Sequence, residues 1–418
     1  MWQVDVVETN TRREKCRMID LTSDYPFWLV QNGLLKSYPP LTCDRNCEIA
    51  IVGGGVTGAL LAVRLISAGY SVILLDAREI GWGSTAASTA LLQYELDISL
   101  IDLAEKIGQN AACRAYRSSH AALQRLDEIL QPIAAACGYS RKQSLYVSTV
   151  PGEDEWLQAE AEARRQCGID VEYLNSRQIE ERYRISVEGG LASPFAAACD
   201  PLRTTHELLR LAEGQGAEIY DRTQVVEFEP HETGVRLYTH RGPRVSCQRV
   251  VLALGYQAQS LLKEPIVQLV STYAGVTRPL HSLSPWNSDW LLWETNQPYM
   301  YLRVTEDGRL LVGGEDDPVH DPRQRARRLA RKKKRLERRL GALLPDVEPE
   351  LEFFWGSTFG QTKDALAYIG ESPEFPQGLF ALGYGGNGIT LSALAADLIL
   401  ARLQGQTHPD ADLYRFGR

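Results

Sequence analysis

The sequence contains no apolar run long enough to cross a lipid bilayer. Its longest apolar stretches, 58–66 and 72–75, are far shorter than the roughly 20 residues that a membrane-spanning helix needs. Residues 1–14 are polar and charged, so they lack the apolar core of a secretory signal peptide. We therefore expect no transmembrane segment, and the reducing cytoplasm is the expected compartment.

Positive charge is in deficit, and cysteine is sparse. The 45 Lys and Arg residues against 53 Asp and Glu give a net charge of -8, which argues against a general nucleic-acid or membrane-surface binder. Eight cysteines in 418 residues do not form the dense framework of a small disulfide-stabilised protein. Cys43 and Cys47 are the only close pair, and no second pair or nearby histidine completes a zinc site. We therefore expect free thiols and no metal.

The sequence does contain a glycine motif in a strand–turn–helix context. An apolar strand pattern ends in Gly53-x-Gly55-x-x-Gly58, and a helical pattern, a second apolar strand pattern and Asp76 follow. This order predicts a dinucleotide-binding βαβ unit rather than an ordinary glycine-rich turn. Gly53 permits the tight turn, Gly55 lets the backbone approach a pyrophosphate, and Gly58 lets the helix pack on the sheet. The helix N-terminus attracts phosphate, and Asp76 can accept hydrogen bonds from a ribose.

Hydrophobic periodicity predicts the remaining elements. Amphipathic helices are expected at 98–137 and 152–167, and a strand at 145–150. The later elements are a helix at 206–215, strands at 216–220, 223–228, 234–238, 249–255, 300–304, 310–314 and 378–383, and a closing helix at 389–403. The turn 306–308 is typical of a hairpin.

The segment 323–339 is densely basic. Leu329, Leu336 and Leu340 share one helical face, which favours an exposed helix packed through its leucines. The alternative is a docking patch for an acidic partner.

These motifs, in this order, resemble those of the FAD-dependent oxidoreductases of the D-amino-acid oxidase type, especially the glycine oxidase, sarcosine oxidase and γ-glutamylputrescine oxidase branch. The resemblance covers roughly residues 46–405 and is carried by the Gly53–Gly58 motif, Val251-Leu-Ala-Leu-Gly255, the stretch 355–370 and Gly383-Tyr-Gly-Gly-Asn-Gly-Ile389. It implies an α/β fold with a Rossmann-like FAD-binding domain and a discontinuous, sheet-based α+β substrate domain.

The length of the chain and this resemblance together imply a domain division. After an N-terminal arm, 1–45, the FAD-binding domain comprises 46–140, 196–262 and 352–418, and the substrate domain comprises 141–195 and 263–351.

The resemblance also implies the residues that contact FAD. They are Gly53, Gly55, Val56, Thr57 and Gly58 at the pyrophosphate; Asp76 and Ala77 at the ribose; Ser84, Thr85, Ser88, Thr89 and Leu91 along the phosphates and flavin; Val225 at the adenine; Ala253 and Gly255 in a second turn; and Gly386, Asn387, Gly388, Ile389 and Thr390 at the flavin ring. The segments 81–91 and 355–364 contain neither Cys nor His, so non-covalent FAD is expected. The closing turn brings a helix N-terminus to the ring, where reduced flavin is negative.

The implied reaction is hydride transfer from a C–N carbon to flavin. The resulting imine is hydrolysed, and oxygen or another acceptor reoxidises the flavin. This chemistry depends on orienting a small amine or amino-acid-like substrate, so no catalytic acid or base is assigned from the sequence.

The substrate residues depart from the amino-acid oxidases. The glycine oxidase pattern has an arginine for the substrate carboxylate where this chain has Phe359, and phenylalanine cannot replace a bidentate cation. This favours amines or N-substituted compounds over α-amino acids. Arg303 either replaces that cation or is a surface strand residue, and Tyr301, of the same strand parity, either forms a wall or belongs to the core.

Four further residues have open roles. Glu95 and Asp97 either attract a substrate ammonium group or cap a helix at the surface. Trp82 and Trp355 either line the pocket or pack in the core.

Two other functions remain open at the level of the sequence. An NAD(P)-dependent dehydrogenase would retain NAD without yellow colour. A non-catalytic flavin-binding subunit would bind FAD that no amine bleaches and would use the segment 323–339 to bind its partner.

Overall fold

The protein is described by a computed structural model over residues 20–280 and 288–418. Its smaller β-sheet is built around the glycine motif. Strand Arg45–Val52 pairs in parallel with Val72–Leu75 on one side and Arg244–Leu252 on the other, and helix Val56–Ser67 connects the first two strands. This confirms the predicted βαβ unit. Val72–Leu75 is buried along its whole length, as expected for a parallel strand covered on both faces.

The strands of the smaller sheet follow the order Tyr368–Ser372, Phe375–Leu382, Arg244–Leu252, Arg45–Val52, Val72–Leu75 and Glu218–Tyr220, and the hairpin Val225–His231 and Gly234–Thr239 pairs with Arg244–Leu252.

The larger sheet is mostly antiparallel. Its strands follow the order Thr22–Ser23, Leu351–Gln361, Gln268–Thr277, Leu310–Asp317, Met300–Val304, Trp290–Glu294, Ser140–Ser148, Gly189–Ala198 and Leu91–Leu92, and Glu172–Asn175 also pairs with Gly189–Ala198. Met300–Val304 and Leu310–Asp317 form the hairpin predicted from the turn between them.

Helices cover the sheets. They are Phe27–Asn32, Val56–Ser67, Ser84–Ala87, Leu100–Ile107, Gln109–Leu130, Ala134–Cys137, Asp154–Gln166, Ser176–Tyr183, Pro201–Gly214, Pro322–Leu343, Gly388–Leu403 and Ala411–Tyr414, with 3-10 turns at Gln131–Ile133, Gly255–Leu261 and Gly385–Asn387. Gly388–Leu403 packs against both Val56–Ser67 and Gln109–Leu130 and is buried on nearly every side. The α/β class predicted from the sequence is confirmed.

One predicted helix is divided, and two other segments add strands to the larger sheet. The helix expected at 98–137 is interrupted at Gly108, whose φ of 86° is left-handed and favours glycine. Strand Leu351–Gln361 pairs with Gln268–Thr277 in the larger sheet, although the prediction placed 352–418 with the FAD-binding segments. The arm adds strand Thr22–Ser23 to the edge of that same sheet.

The basic segment forms helix Pro322–Leu343. Leu336 and Leu340 are buried and Leu329 is partly buried, as the leucine pattern predicted. The prediction of a merely exposed basic face is wrong in part, because Lys332 is buried and donates to the Glu315 carbonyl at 2.6 Å. Arg335 also pairs with Glu315 at 3.2 Å. Part of the basic charge therefore compensates acids on the outer face of the larger sheet.

One cysteine pair was not anticipated. Cys113 and Cys167 form a disulfide with Cα atoms 5.5 Å apart, and their separation of 54 residues gave no signal in the sequence. Cys43 and Cys47 remain free thiols. Within 20–280 and 288–418, no helix is both long and apolar enough to span a bilayer.

Arg418 ties the last described turn to the smaller sheet. Its guanidinium forms two hydrogen bonds to Asp364, at 2.8 and 3.0 Å, and lies 3.7 Å from the centroid of the Tyr368 ring. Burial raises the pKa of Asp364, but Arg418 more than offsets this and holds the pKa below its ordinary value.

Replacing Arg418 with glutamine is therefore expected to lower the free energy of unfolding by about 2 kcal/mol. Since the pKa of Asp364 is depressed in the folded state, this contribution is present at neutral pH and is lost as the pH falls through that pKa. Urea unfolding at neutral and acid pH measures it, with the exposed Arg415→Gln as control. An equal loss from both variants would contradict the assignment.

Candidate functional site

A single long cavity runs from the glycine motif to the larger sheet. At one end it is lined by the carboxyl ends of the parallel strands, including Val52, Leu75 and Ala253, where ligands bind in open α/β sheets. At the other end it is lined by Phe359 and Tyr301 of the larger sheet. The cavity therefore joins a nucleotide-type end to a separate wall.

The glycine motif forms a tight cradle at the first end. Gly53 has a φ of 116°, and a Cβ there would collide with the Ala253 carbonyl. A Cβ on Gly58 would collide with the Gly53 carbonyl, so Gly58 sets the close packing of the helix on the turn. Gly55 is the N-cap of helix Val56–Ser67 and provides no capping side chain. The N-cap residue therefore provides no cap, and the Val56 N–H donates instead to the Thr85 hydroxyl of the small-residue loop at 3.0 Å. A helix N-terminus that begins at a glycine fits the phosphates of a dinucleotide.

Asp76 is fixed beside this cradle. Its Oδ2 accepts a hydrogen bond from the Gly54 N–H at 2.6 Å, and its Oδ1 accepts one from the Arg78 N–H at 2.7 Å. Burial raises the pKa of Asp76, while these two N–H groups lower it. A carboxylate held rigidly at the edge of the cavity is suited to accept hydrogen bonds from ribose hydroxyls.

Two indole groups anchor the small-residue loop from outside the cavity. Trp28 Nε1 donates to the Ser88 carbonyl at 2.8 Å, and Trp355 Nε1 donates to the Ala87 carbonyl at 3.0 Å. Trp355 is fully buried, so it is a core residue, whereas Trp82 is 40% exposed and does not line the cavity. The small residues of the loop Ser84–Thr89 therefore face the cavity, and neither Trp82 nor Trp355 lines it.

The closing glycine turn forms the opposite side of the cavity. Gly386 N–H donates to Asp97 Oδ2 at 2.6 Å, and Asn387 Nδ2 donates to the Glu95 carbonyl. Thr390 is buried, and its hydroxyl lacks a hydrogen-bond partner among the described residues.

Most of the predicted FAD residues are brought together in this cavity. Those that line it are Gly53, Gly55, Val56, Thr57, Asp76, Ala77, Ser84, Thr85, Ser88, Thr89, Leu91, Val225, Ala253, Gly255, Gly386, Asn387, Gly388 and Ile389. Gly58 and Thr390 lie directly behind the lining. The glycine cradle, the helix N-terminus that follows Gly55 and the fixed carboxylate all fit FAD.

The predicted substrate residues divide into two groups. Tyr301 and Phe359 line the cavity. Arg303 does not, because its side chain is buried on the far side of the small-residue loop, where Nε donates to the Thr89 carbonyl at 2.7 Å and Nη2 to the Cys199 carbonyl at 2.8 Å. Arg303 is therefore neither a carboxylate clamp in the cavity nor a surface residue, because the loop 84–90 covers it.

Glu95 also points away from the cavity. It is 1% exposed and lies 3.6 Å from the buried Arg164, which pairs with Glu160 at 2.8 Å. Burial raises the pKa of Glu95, against the lowering effect of Arg164. Glu95 is therefore neither a helix cap at the surface nor in direct contact with a substrate. Asp97, two residues later, does line the cavity.

A second acid, Asp316, lies just behind the far wall of the cavity, which is the end lined by Tyr301 and Phe359. The carboxylate of Asp316 lies beside the hydroxyls of Thr272 and Tyr299. Burial raises the pKa of Asp316 to about 6, although the hydroxyls of Thr272 and Tyr299 lower it, and Asp97 adds to the rise. Burial also raises the pKa of Tyr301 to about 12. Thr272, Tyr299 and Tyr301 separate Asp316 from the cavity.

The charge of the lining differs between the two ends. Among the described residues that line the cavity, Arg78 is the only Lys, Arg or His, and it lies beside Asp76 at the nucleotide end. The far end instead has Asp97, Glu294 and tyrosines. Glu294 is neutralised from outside by Arg339. No group of three potential metal ligands occurs in the described ranges.

Several lining residues carried no sequence signal of their own. Tyr256 directly follows Gly255, and Tyr299 directly precedes strand Met300–Val304. Thr272 and Trp293 come from strands whose faces toward the cavity depend on the register of the larger sheet. An alternating strand pattern separates two faces without saying which faces a ligand. For Tyr301, the strand parity that it shares with Arg303 was the signal that pointed to the substrate wall.

Comparison with known proteins gives concordant results. Residues 48–402 match the model of the DAO family, which is described as FAD dependent oxidoreductase. The chain is 27% identical over 387 residues to the glycine oxidase of Geobacillus kaustophilus (strain HTA426), covering 88% of this chain and 96% of that protein. It is 24% identical over 408 residues to the gamma-glutamylputrescine oxidoreductase of Escherichia coli (strain K12), covering 93% and 90%.

The fold is shared with a solved structure. The crystal structure of glycine oxidase from Geobacillus kaustophilus superposes with a TM-score of 0.72 at 24% identity, covering 87% of this chain and 96% of that one.

Proposed function

Because the chain belongs to the family of FAD-dependent oxidoreductases of the DAO type, we propose that it oxidises the C–N bond of a cationic amine that lacks an α-carboxylate. FAD is its cofactor, and bound FAD supplies the hydride acceptor. We expect non-covalent binding through the glycine cradle, Asp76, the loop Ser84–Thr89 and the closing turn. The imine is then hydrolysed to a carbonyl compound. We further propose that it works in the cytoplasm and passes electrons to oxygen or another acceptor.

The observation that carries this proposal is the charge of the far wall. Asp97 and Asp316 lie there, and no Lys, Arg or His lines that end of the cavity among the described residues. Lys332, which lowers the pKa of Asp316, is already paired with Glu315 and Asp317. An ammonium group would lower the electrostatic cost of two nearby carboxylates. A substrate carboxylate would meet like charge and no bidentate partner.

The aromatic wall supports the same substrate class. The rings of Tyr299 and Tyr301 lie 5.8 Å apart, centroid to centroid, and Phe359 adds an apolar surface to the lining. A cation over such faces gains about 0.5–2 kcal/mol when it is desolvated. The related glycine oxidases are 27% identical or less, and their substrate, glycine, has a carboxylate. Phe359 is the position at which this chain differs from the glycine oxidase pattern for binding that carboxylate.

The proposal is tested by the absorption spectrum of the purified protein and by anaerobic addition of primary and N-methylated amines. We expect a flavin spectrum that is bleached by one class of amine, with one carbonyl product formed per flavin reduced. Bleaching by no amine at saturating concentration, or retention of NAD without flavin, would overturn it.

Replacing Phe359 with arginine is expected to lower kcat/KM for the amine about a hundredfold, because a guanidinium would enter the wall and repel the ammonium group. Phe359→Leu keeps the wall apolar and serves as the control, with a loss of about threefold or less. Steady-state kinetics with a dye acceptor measures both variants. Unchanged amine kinetics in Phe359→Arg would place the substrate elsewhere.

A further inference from the structure

A carboxylate contacts the 3-10 turn Gly385–Asn387, which directly precedes the closing helix Gly388–Leu403. Asp97 Oδ2 accepts the Gly386 N–H at 2.6 Å. A Cβ added to Gly385 or Gly386 would collide with the same carboxylate, so the two glycines are what allow its close approach. Gly385 also has a left-handed φ of 62°. This turn is therefore shaped around Asp97.

The position of Asp97 is set by its neighbours on both sides. On one side, the Glu95 carbonyl accepts the Asn387 amide. On the other, Ser99 caps helix Leu100–Ile107 by accepting the Asp102 N–H at 3.0 Å. The buried Glu160 carboxylate accepts the first N–H groups of that helix, from Leu100 at 2.9 Å and from Ile101 at 3.0 Å. The segment is thus held at both ends, which fixes the backbone of Asp97 beside the turn.

The carboxylate changes the sign of the local field. A helix N-terminus carries the equivalent of about half a positive charge, and an ionised carboxylate carries one full negative charge. The atoms that surround Asp97 desolvate its carboxyl and raise its pKa, although the side chain is exposed to the open cavity, and the Gly386 N–H lowers the pKa. The charge of Asp97 raises the pKa of Tyr256, Tyr299, Tyr301 and Asp316. None of these four groups is cationic.

We propose that Asp97 holds down the reduction potential of the bound FAD by opposing the helix N-terminus at the closing turn. This rests on the proposal that the turn meets the flavin ring. Reduced flavin is negative at its pyrimidine end, so a carboxylate there disfavours reduction, whereas the bare N–H groups of the turn favour it. The same field weakens the binding of sulfite, whose adduct with flavin is also anionic.

The test compares wild-type holoenzyme with Asp97→Asn at mildly alkaline pH, which favours the ionised carboxyl. Asparagine has the shape of aspartate and lacks its charge. We expect the Kd for sulfite, read from flavin bleaching, to fall about tenfold or more in Asp97→Asn. The midpoint potential, measured against a reference dye, should rise by about 30 mV for each tenfold change in the ratio of affinities for reduced and oxidised FAD.

Asp102→Asn makes the same chemical change on an exposed residue of the same segment and should move neither value. Asp97→Glu, which keeps the charge, should stay near wild type in potential. If Asp97→Asn retains FAD poorly, Asp97→Ser provides a smaller neutral side chain with the same expectation. Unchanged sulfite affinity and potential in the neutral variants would overturn the proposal. Neither measurement needs an amine, so this failure is distinct from failure of amines to reduce the enzyme.

Discussion

Purified Gly55→Val should contain no bound FAD, with an affinity at least about a hundredfold weaker than wild type, or about 3 kcal/mol. A side chain at this position would stand over the N-terminus of helix Val56–Ser67, where the backbone must approach the pyrophosphate. The protein should nevertheless fold. Gly55 has an ordinary φ of -81°, and its Cβ would meet only the Thr85 hydroxyl, at 2.9 Å.

The choice of Gly55 separates cofactor binding from folding. The same change at Gly53 would strain a left-handed backbone and strike the Ala253 carbonyl, so loss of FAD there would be ambiguous. Gly214→Ala is the control, since a Cβ on that exposed helical glycine meets nothing within 4 Å. The flavin-to-protein absorbance ratio and far-UV circular dichroism measure the two effects. A yellow, folded Gly55→Val protein would refute the phosphate cradle.

Asp316→Asn is expected to reduce kcat/KM for the amine by about tenfold to a hundredfold, or about 1.4–3 kcal/mol of transition-state stabilisation. The carboxylate lies behind the hydroxyls of Tyr299 and Thr272. Lys332, which lowers its pKa, is already paired with Glu315 and Asp317, so the negative charge of Asp316 acts on the cavity. Since the pKa of Asp316 is about 6, wild-type kcat/KM should also fall as the pH drops through 6. That limb should disappear in Asp316→Asn.

The next residue of the strand provides a matched control. Asp317 lies on the opposite face, where it pairs with Arg328 and lies 3.6 Å from Lys332 of the basic helix. Asp317→Asn should therefore lower stability and leave the amine kinetics and their pH profile unchanged. Equal kinetic losses in the two variants would show that Asp316 acts through general stability rather than through the charge of the cavity.

The nucleotide end of the cavity was predictable because its determinants are local. Gly53, Gly55 and Asp76 act through the turn and strand ends in which they occur, and a βαβ unit brings them together whatever the rest of the chain does. The closing turn could be predicted for a similar reason, since glycines before a buried helix define their own geometry.

The far end was not predictable in the same way. Tyr301 and Arg303 share strand parity, yet only Tyr301 lines the cavity, because the loop 84–90 covers Arg303. Asp97 and Gly386 are 289 residues apart, and their contact depends on how the two sheets are connected. The pairing of Lys332 with the outer face of the larger sheet likewise depends on tertiary packing that charge patterning does not reveal.

The central claim is that the cavity takes a cationic amine and excludes an α-carboxylate. The most direct test is anaerobic reduction of the holoenzyme with pairs of compounds that differ only in that carboxylate. The series begins with phenethylamine and phenylalanine and continues with aliphatic amines and the corresponding α-amino acids. We expect the amine of at least one pair to bleach the flavin and its α-amino acid to do so about a hundredfold more slowly or not at all. Faster bleaching by the α-amino acid throughout the series would contradict it.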